Sequence, residues 1–382
     1  MAFTVTQANN KLIQFTTEIN REFVRGNLFS PYMGTALNSI IRIRNELKAG
    51  GEDMNIPIVT RLLGTGVATG TLVGNEEKID NYGMRLRMEW ARHAVVTNKK
   101  EQQVDSAAVF NEARPLLQDW GQELQRDELI AAFMALPTET LPTSGGGVRV
   151  NGILYDTATA GQKNTWQTDN SDRILFGNST ANLVAGNHAS SLANCDTTND
   201  KFTSSNLSLL KRVAMNANPK IRPFKTDDGY EYYVTFAGTN PFRDLKIDLQ
   251  TVNKDARARE QNGMDKNPLF QDGDQIYDGA IVRQVPEISQ FVTSVWTSLL
   301  TAGAGGTTRV EPVFLCGQQA AVFGWGQMAK PTFRTETDYG FITGTGIEMA
   351  YGVSKMFKKH PMDGTALKQW GVVTGFFASA SD

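Results

Sequence analysis

The residues that could do chemistry in this chain of 382 are few and scattered. Three histidines stand alone at His93, His188 and His360. A structural or catalytic zinc needs ligands at helix or turn spacing, and none of the three has a second ligand so placed, so no metal is expected. Cys195 follows His188 closely enough to admit a thiol–imidazole dyad, although nearness in sequence is all that marks it. Cys316, in "VFLCGQQAA", reads as a small buried hydrophobe. The stretch "QDGDQIYDG" offers Asp272, Asp274 and Asp278. An EF-type calcium loop needs oxygen ligands at alternate positions, a glycine sixth and a closing glutamate. Here the third acid falls off register and the glutamate is missing, so a solvated turn is expected. No G-x-S-x-G nucleophile elbow occurs.

The glycines of "LLGTGVATGTLVGNEE", Gly64, Gly66, Gly70 and Gly74, invite a phosphate-loop reading. The dinucleotide fingerprint requires G-x-G-x-x-G between a strand and a helix. This spacing is one residue too long, no helix follows to aim its N-terminus at an anion, and no P-loop lysine follows. The plainer reading is a φ-permissive tip of something extended.

Composition narrows the classes further. A formal charge of −2 argues against a nucleic-acid binder that works through a strong basic field. Two distant cysteines make no disulfide framework and fit synthesis in a reducing compartment. "MAFTVTQANNKLIQF" lacks the pattern of a signal peptide. No run of about 18 apolar residues predicts a membrane span.

Residues 7–25 place Leu12, Phe15, Ile19 and Phe23 on one helical stripe. In 36–103, "SIIRIRNEL", "NIPIVTRLL" and "MRLRMEWARHAVV" read as strands, the last two joined at their far end by the glycine-rich tip. A two-stranded ribbon does not support itself in water, so another part of the chain or a neighbouring copy must cover it. Residues 104–136 carry Val104, Ala107, Phe110, Ala113, Leu117, Trp120 and Leu124 at helical spacing. Pro115 lies inside that pattern, and the unbroken phase predicts one helix bent at the proline.

Residues 137–204 are rich in Gly, Ser, Thr, Asn and Asp. Their short apolar islands are too brief for a separate core, which predicts an ordered but irregular insertion on one face, more tolerant of trimming than Leu117 or Trp120. "SSNLSLLKRVAMNA" restarts a helix capped by Ser205 or Asn206. Residues 230–330 read as an α/β-type layer, in which "VEPVFLCGQQAAVFGWG" passes from strand to small-residue helix, and 333–382 return to strands. Trp90, Trp120, Trp296, Trp325 and Trp370 sit in apolar patterns as core or interface anchors.

This order of parts resembles the major capsid proteins of tailed bacteriophages, whose Hong Kong 97-like fold is α+β. "NSIIRIRNELKAGGEDMNIPIVTRLLGTGVATGTLVGNEEKI" is similar to the extended-loop region of the phage N4-type capsid family, with its elongated strand, G-x-G-V turn and G-N-E-E segment. "TFAGTNPFRDLKID" looks like that family's strand, turn and helix, and "TETDYGFITGTGIEMAYGVSKM" like its closing strands. The likeness extends toward capsid proteins of contractile-tailed Pseudomonas phages. It implies an N-terminal arm at 1–35, an extended loop (E-loop) with flanking strands at 36–103, and a peripheral-domain spine helix at 104–136. The insertion at 137–204, an axial domain at 205–330 and return strands of the peripheral domain at 331–382 would follow.

The resemblance further implies self-assembly as hexamers and pentamers into an icosahedral head enclosing double-stranded DNA, contacted non-specifically. Portal, scaffolding and decoration proteins would be partners. The chain would be made in the bacterial host cytoplasm and end in the virion. No catalytic residue, cofactor or metal is implied, and no membrane contact. The sequence shows no long charged N-terminal extension of the built-in scaffold kind, so a separate scaffold or none is expected, with no trimming at Met1. At the subunit interface, Arg85 and Arg87 on one strand face, with Glu76 and Glu77 near the tip, would pair across the contact. Leu86, Met88 and Trp90 would bury against the neighbour or the chain's own spine helix. Exposed ion pairs contribute only ~0–1 kcal/mol each, so apolar burial at ~25 cal/mol per Å² should dominate. An encapsulin-type compartment shell, and an α/β enzyme with its site in 230–330, are the alternatives.

Overall fold

The computed structural model describes residues 25–59, 61–62, 64–79, 81–104, 109–225, 229–250, 274–334, 338–359 and 365–379. The helix expected over 7–25 lies outside them but for its last residue.

Strands β1 (Met33–Gly34) and β2 (Ile41–Arg44) lead to β3 (Asp53–Val59), β4 (Asn81–Arg87) and β5 (Glu89–Asn98). Two short segments follow, α1 (Lys99–Val104) and a 3₁₀ turn at Val109–Glu112, and then α2 (Ala113–Met134). The expected single helix bent at Pro115 is therefore not formed. Pro115 is the third residue of α2. A proline there is harmless, because first-turn amides have no intrahelical acceptor to lose. The apolar stripe keeps its phase from Ala113 onward because the helix begins there.

The segment 137–204 holds α3 (Ala160–Asp169), β6 (Ile174–Phe176) and α4 (His188–Ala193), followed by α5 (Ser204–Asn216). The next elements are β7 (Phe224–Lys225), β8 (Glu231–Ala237), α6 (Thr239–Asp248), β9 (Asp274–Tyr277), β10 (Ala280–Gln284) and α7 (Pro286–Ser294). Strands β11 (Arg309–Cys316), β12 (Ala321–Arg334), β13 (Ile342–Lys355), β14 (Phe357–Lys359), β15 (Leu367–Gln369) and β16 (Val372–Ser379) complete the described chain.

Two larger sheets share one core. In the first, of order β1-β2-β12-β13-β5, α2 lies along β13. Gly121 faces β13 there, with Met349 and Ile347 at ordinary packing distance, 3.6 and 3.8 Å, from where a Cβ would stand. The second runs β6-β16-β11-β8-β10-β9, with β7 on β8. It is buried on both faces, so its strands read as continuous apolar runs. Phe236, Phe314 and Phe376 point into the core shared with α2. Their neighbours Ala237, Val313, Leu315 and Phe377 point to the other face, with Leu207, Leu210 and Leu245 from α5 and α6. Phe29 wedges between the layers, its ring 5.8 Å from Phe133 and 4.9 Å from Phe236. Just before it, the Arg25 carbonyl accepts from the buried Arg126 guanidinium at 2.7 Å, which lies 3.4 Å from Glu287 of α7.

Three local expectations are corrected. Residues 137–204 are not a soft insertion. They indeed form no separate core, but Tyr155, Trp166, Phe176, Leu192 and Cys195 are buried in the main one, and β6 pairs in parallel with β16. The islands are short because each supplies a few side chains to a core built elsewhere. The cap of α5 is Thr203, whose hydroxyl accepts from the Asn206 amide, rather than Ser205 or Asn206. Finally, "GQQAAVFGWG" is a turn and a strand, not a helix. Val322 faces the hairpin while Ala321 and Phe323 face the main core. Alternation of period two buries both sets, which a helix could not do.

Candidate assembly surface

The hairpin expected at the far end of 36–103 forms between β3 and β4, antiparallel, with Asp53 opposite Arg87 and Val59 opposite Asn81. Burial along β3 alternates strictly. Met54, Ile56 and Ile58 of β3 and Met84 and Leu86 of β4 pack on Val322, Met356 and Phe357. The cover for this half of the ribbon is thus β12 and β14 of the same chain, not the spine helix α2 offered from the sequence. Leu86 is wholly buried there.

The site residues singled out in the sequence fall in two places. Arg85 and Arg87 share Asp53, whose carboxylate accepts from Arg85 Nη2 at 2.6 Å and from Arg87 Nε at 2.7 Å. Arg87 also donates to the Pro142 carbonyl at 2.7 Å. These guanidiniums hold the Asp53 carboxyl below the ordinary carboxylate range, Arg87 most strongly. Both arginines therefore have partners inside the subunit. Asp53 escaped the sequence reading because its role depends on hairpin register. Met88 breaks the strand between β4 and β5, its thioether occupying the space a Cβ would need at Gly326. Trp90, on β5 opposite Ala350, is half exposed.

Glu76 and Glu77 are at the tip, folded back on its glycines. Gly64 N–H donates to Glu77 Oε2 at 2.6 Å and Gly74 N–H to Glu76 Oε2 at 2.7 Å. Carboxylates already occupy these amides, so an anion would meet like charge, which removes the phosphate reading. Gly66 and Gly74 hold φ of 76° and 86°, the left-handed region that favours glycine. The apolar residues of the tip point to solvent, with Leu72 65 % and Val73 79 % exposed, and Leu62 and Ile79 similarly so. At its root, Arg61 donates to Asn218 at 3.2 Å.

A second exposed apolar feature lies on the five-stranded sheet. Arg114 and Leu117 of α2, Pro331 and Phe333 of β12, and Ile347 of β13 line a groove of about 470 Å³. Phe333 is 54 % exposed, and the Arg114 guanidinium sits 4.8 Å above its ring. Neither residue carried a sequence signal, because strand and helix meet only in the fold.

The other chemical candidates are absorbed by packing. His188 is buried, its Nδ1 3.1 Å from Gln167 Oε1 and its Nε2 3.0 Å from the Tyr155 hydroxyl. The neutral tautomer with the proton on Nδ1 satisfies both, and burial pulls the imidazole down to about 3. Cys195 Sγ faces the Ser191 and Phe376 carbonyls, and burial pushes its thiol up to about 12. With its ring nitrogens and its sulfur each engaged by other groups, and with an imidazole this hard to protonate and a thiol this hard to ionise, His188 and Cys195 make no nucleophilic pair. His93 stacks on Trp120 at 4.9 Å, and Cys316 is fully buried. Asp278 pairs with Lys211 at 3.0 Å and accepts from Ser208, while Asp272 and His360 lie outside the described residues. Among the described residues no His, Cys, Asp and Glu cluster could hold a metal ion, and no helix is long and apolar enough to cross a membrane.

Known proteins share this architecture. The profile of the phage capsid protein family matches residues 9–374. A chain of the cyanophage Pam1 capsid asymmetric unit is 31% identical, with TM-score 0.85 over 100% of both chains. The capsid of Ralstonia phage GP4 matches with TM-score 0.70 at 17% identity, over 100% of this chain and 99% of that one. The head of Helicobacter pylori bacteriophage KHP40 matches with TM-score 0.65 at 13% identity, over 98% and 99%. The last two show the shared fold. No curated protein matches.

Proposed function

Because the chain belongs to the family of phage capsid proteins, we propose that its hairpin tip seats on a neighbouring copy, in the groove between α2 and β12. The chain is a shell-forming structural protein of the virion with the α+β Hong Kong 97-like fold. The observation that carries the contact is the contrast along one ribbon. Its base is buried on its own subunit, and its tip presents Leu62, Leu72, Val73 and Ile79 to water. An apolar patch of this kind marks an interaction site.

A tip at one end and a groove elsewhere make a head-to-tail contact, which closes into rings when the rotation permits. Hexamers and pentamers of an icosahedral shell are such rings. Glu76 and Glu77 at the tip complement Arg114 in the groove wall, which fixes register more than it adds affinity. In this reading Arg85 and Arg87 stiffen the ribbon through Asp53 rather than cross the interface, while Met88 and Trp90 shape its turn into β5. The proposed division is an arm at 1–35, an E-loop region at 36–103, a peripheral part comprising α2 and the return strands, and an axial part at 205–330. Packaged double-stranded DNA, portal, scaffolding and decoration proteins complete the proposed head, with synthesis in the host cytoplasm.

The test is a variant lacking residues 62–76, its hairpin closed by a short turn. Circular dichroism should report a folded subunit, and negative-stain microscopy with sedimentation should find no stable shells. Normal, heat-resistant shells would overturn the arm's role. Nuclease-protected DNA in particles from infected cells separates a DNA head from a compartment with protein cargo.

A further inference from the structure

Lys355, the last residue of β13, is 2 % exposed. Its Nζ donates to the Phe133 carbonyl at 3.1 Å and lies 5.2 Å from the centre of the Trp166 ring. Phe133 is in the last turn of α2, where carbonyls lack intrahelical donors and the helix dipole favours a cation. Trp166 belongs to α3, in the segment 137–204. One side-chain nitrogen thus ties together the first sheet, the end of the long helix and the segment that edges the second sheet.

The groups facing Lys355 can be named. They are the Phe133 carbonyl from α2, the Trp166 ring from α3, and from β11 the fully buried Cys316 thiol, whose ionisation burial suppresses. Among the described residues no carboxylate pairs with it. A buried ammonium with one hydrogen-bond acceptor and a ring face is held by dipoles alone. Such a charge is poorly compensated, because burial strips its hydration and one carbonyl with a ring face returns only part of it.

We propose that Lys355 makes this three-way junction a proton-coupled joint: closed with the amine neutral, and driven toward an open, hydrated state by proton uptake. Burial lowers the Lys355 amine to about 7, whereas a hydrated lysine keeps its ordinary value near 10.4. The sign follows from linkage. Between those values the open state holds one proton more than the closed state, so each pH unit of acidification favours opening by up to tenfold. Below about 7 both states are protonated and the effect levels off. In a shell subunit the consequence is a loosening confined to the seam between the two sheets.

Hydrogen exchange of the full-length protein, read by mass spectrometry and corrected for intrinsic rates, tests this between pH 7 and 9.5. In the wild type, the opening constant at 131–136 and 160–169 should rise as pH falls, by up to tenfold per unit. Lys355→Met, of similar length and uncharged, should flatten that slope. If Lys355→Met does not fold, Lys355→Arg, permanently charged, should be open and equally flat. A flat wild type, or a folded variant that keeps the slope, overturns the proposal.

Discussion

Asp53 and Arg87 face each other across the hairpin at the register where β3 begins and β4 ends, 2.7 Å apart, with Arg85 on the same carboxylate. The pair sits on the face opposite the buried methionines and isoleucines, whose burial sets which residues of the ribbon face inward. Replacing Asp53 by Asn should lower thermal stability by about 1 kcal/mol, the scale of a partly exposed ion pair. Because the folded-state carboxyl is depressed, this contribution is present above the ordinary Asp value and lost as pH falls through the depressed one. Wild type and Asp53→Asn should therefore converge in acid. Melting curves across pH check this, and a difference that persists in strong acid would contradict it.

The two halves of the ribbon should respond to mutation in opposite ways. Leu86→Ala removes a wholly buried side chain and should cost roughly 2–5 kcal/mol of folding stability. Leu72→Ser with Val73→Ser touches exposed positions and should change stability by no more than about 0.5 kcal/mol per site, yet reduce shell yield sharply. Chemical denaturation and particle counts on the same samples separate the two effects.

Phe333→Asp and Arg114→Glu should each leave the melting temperature of the subunit nearly unchanged and impair assembly. The Arg114 effect should shrink as salt rises, because rim charges are screened. Light-scattering assembly assays at two ionic strengths measure this. Unimpaired assembly of both variants would place the tip's seat elsewhere.

His188 should impose an acid limit on the segment 137–204. Its folded-state imidazole is depressed to about 3, so above about 6.5 it adds no pH dependence. Between those values the unfolded chain takes up a proton that the folded chain refuses, and stability falls by at most about 1.4 kcal/mol per pH unit. His188→Gln should flatten that slope. Trp166→Ala should cost roughly 3–5 kcal/mol, a loss expected of core and not of a trimmable insertion. Denaturant titrations from pH 7 to 4 test both.

Much of this was legible from the residues alone, because it depends on local periodicity and backbone chemistry. The alternation of Arg85, Leu86 and Arg87, the left-handed glycines of the tip and the apolar stripe after Ala113 each specify an element without knowledge of its neighbours, although the strand read through "MRLRMEWARHAVV" is divided at Met88 between two sheets. What the tertiary structure alone decided is which surfaces those elements cover. "GQQAAVFGWG" resembles a small-residue helix until two cores are seen on its two sides. The islands of 137–204 look expendable until Trp166 and Phe176 are found in the main core, and Arg85 and Arg87 look outward until hairpin register puts Asp53 between them. The reason is physical: a side chain's period is set by its own backbone, whereas its burial and partners are set by chain segments far away in sequence.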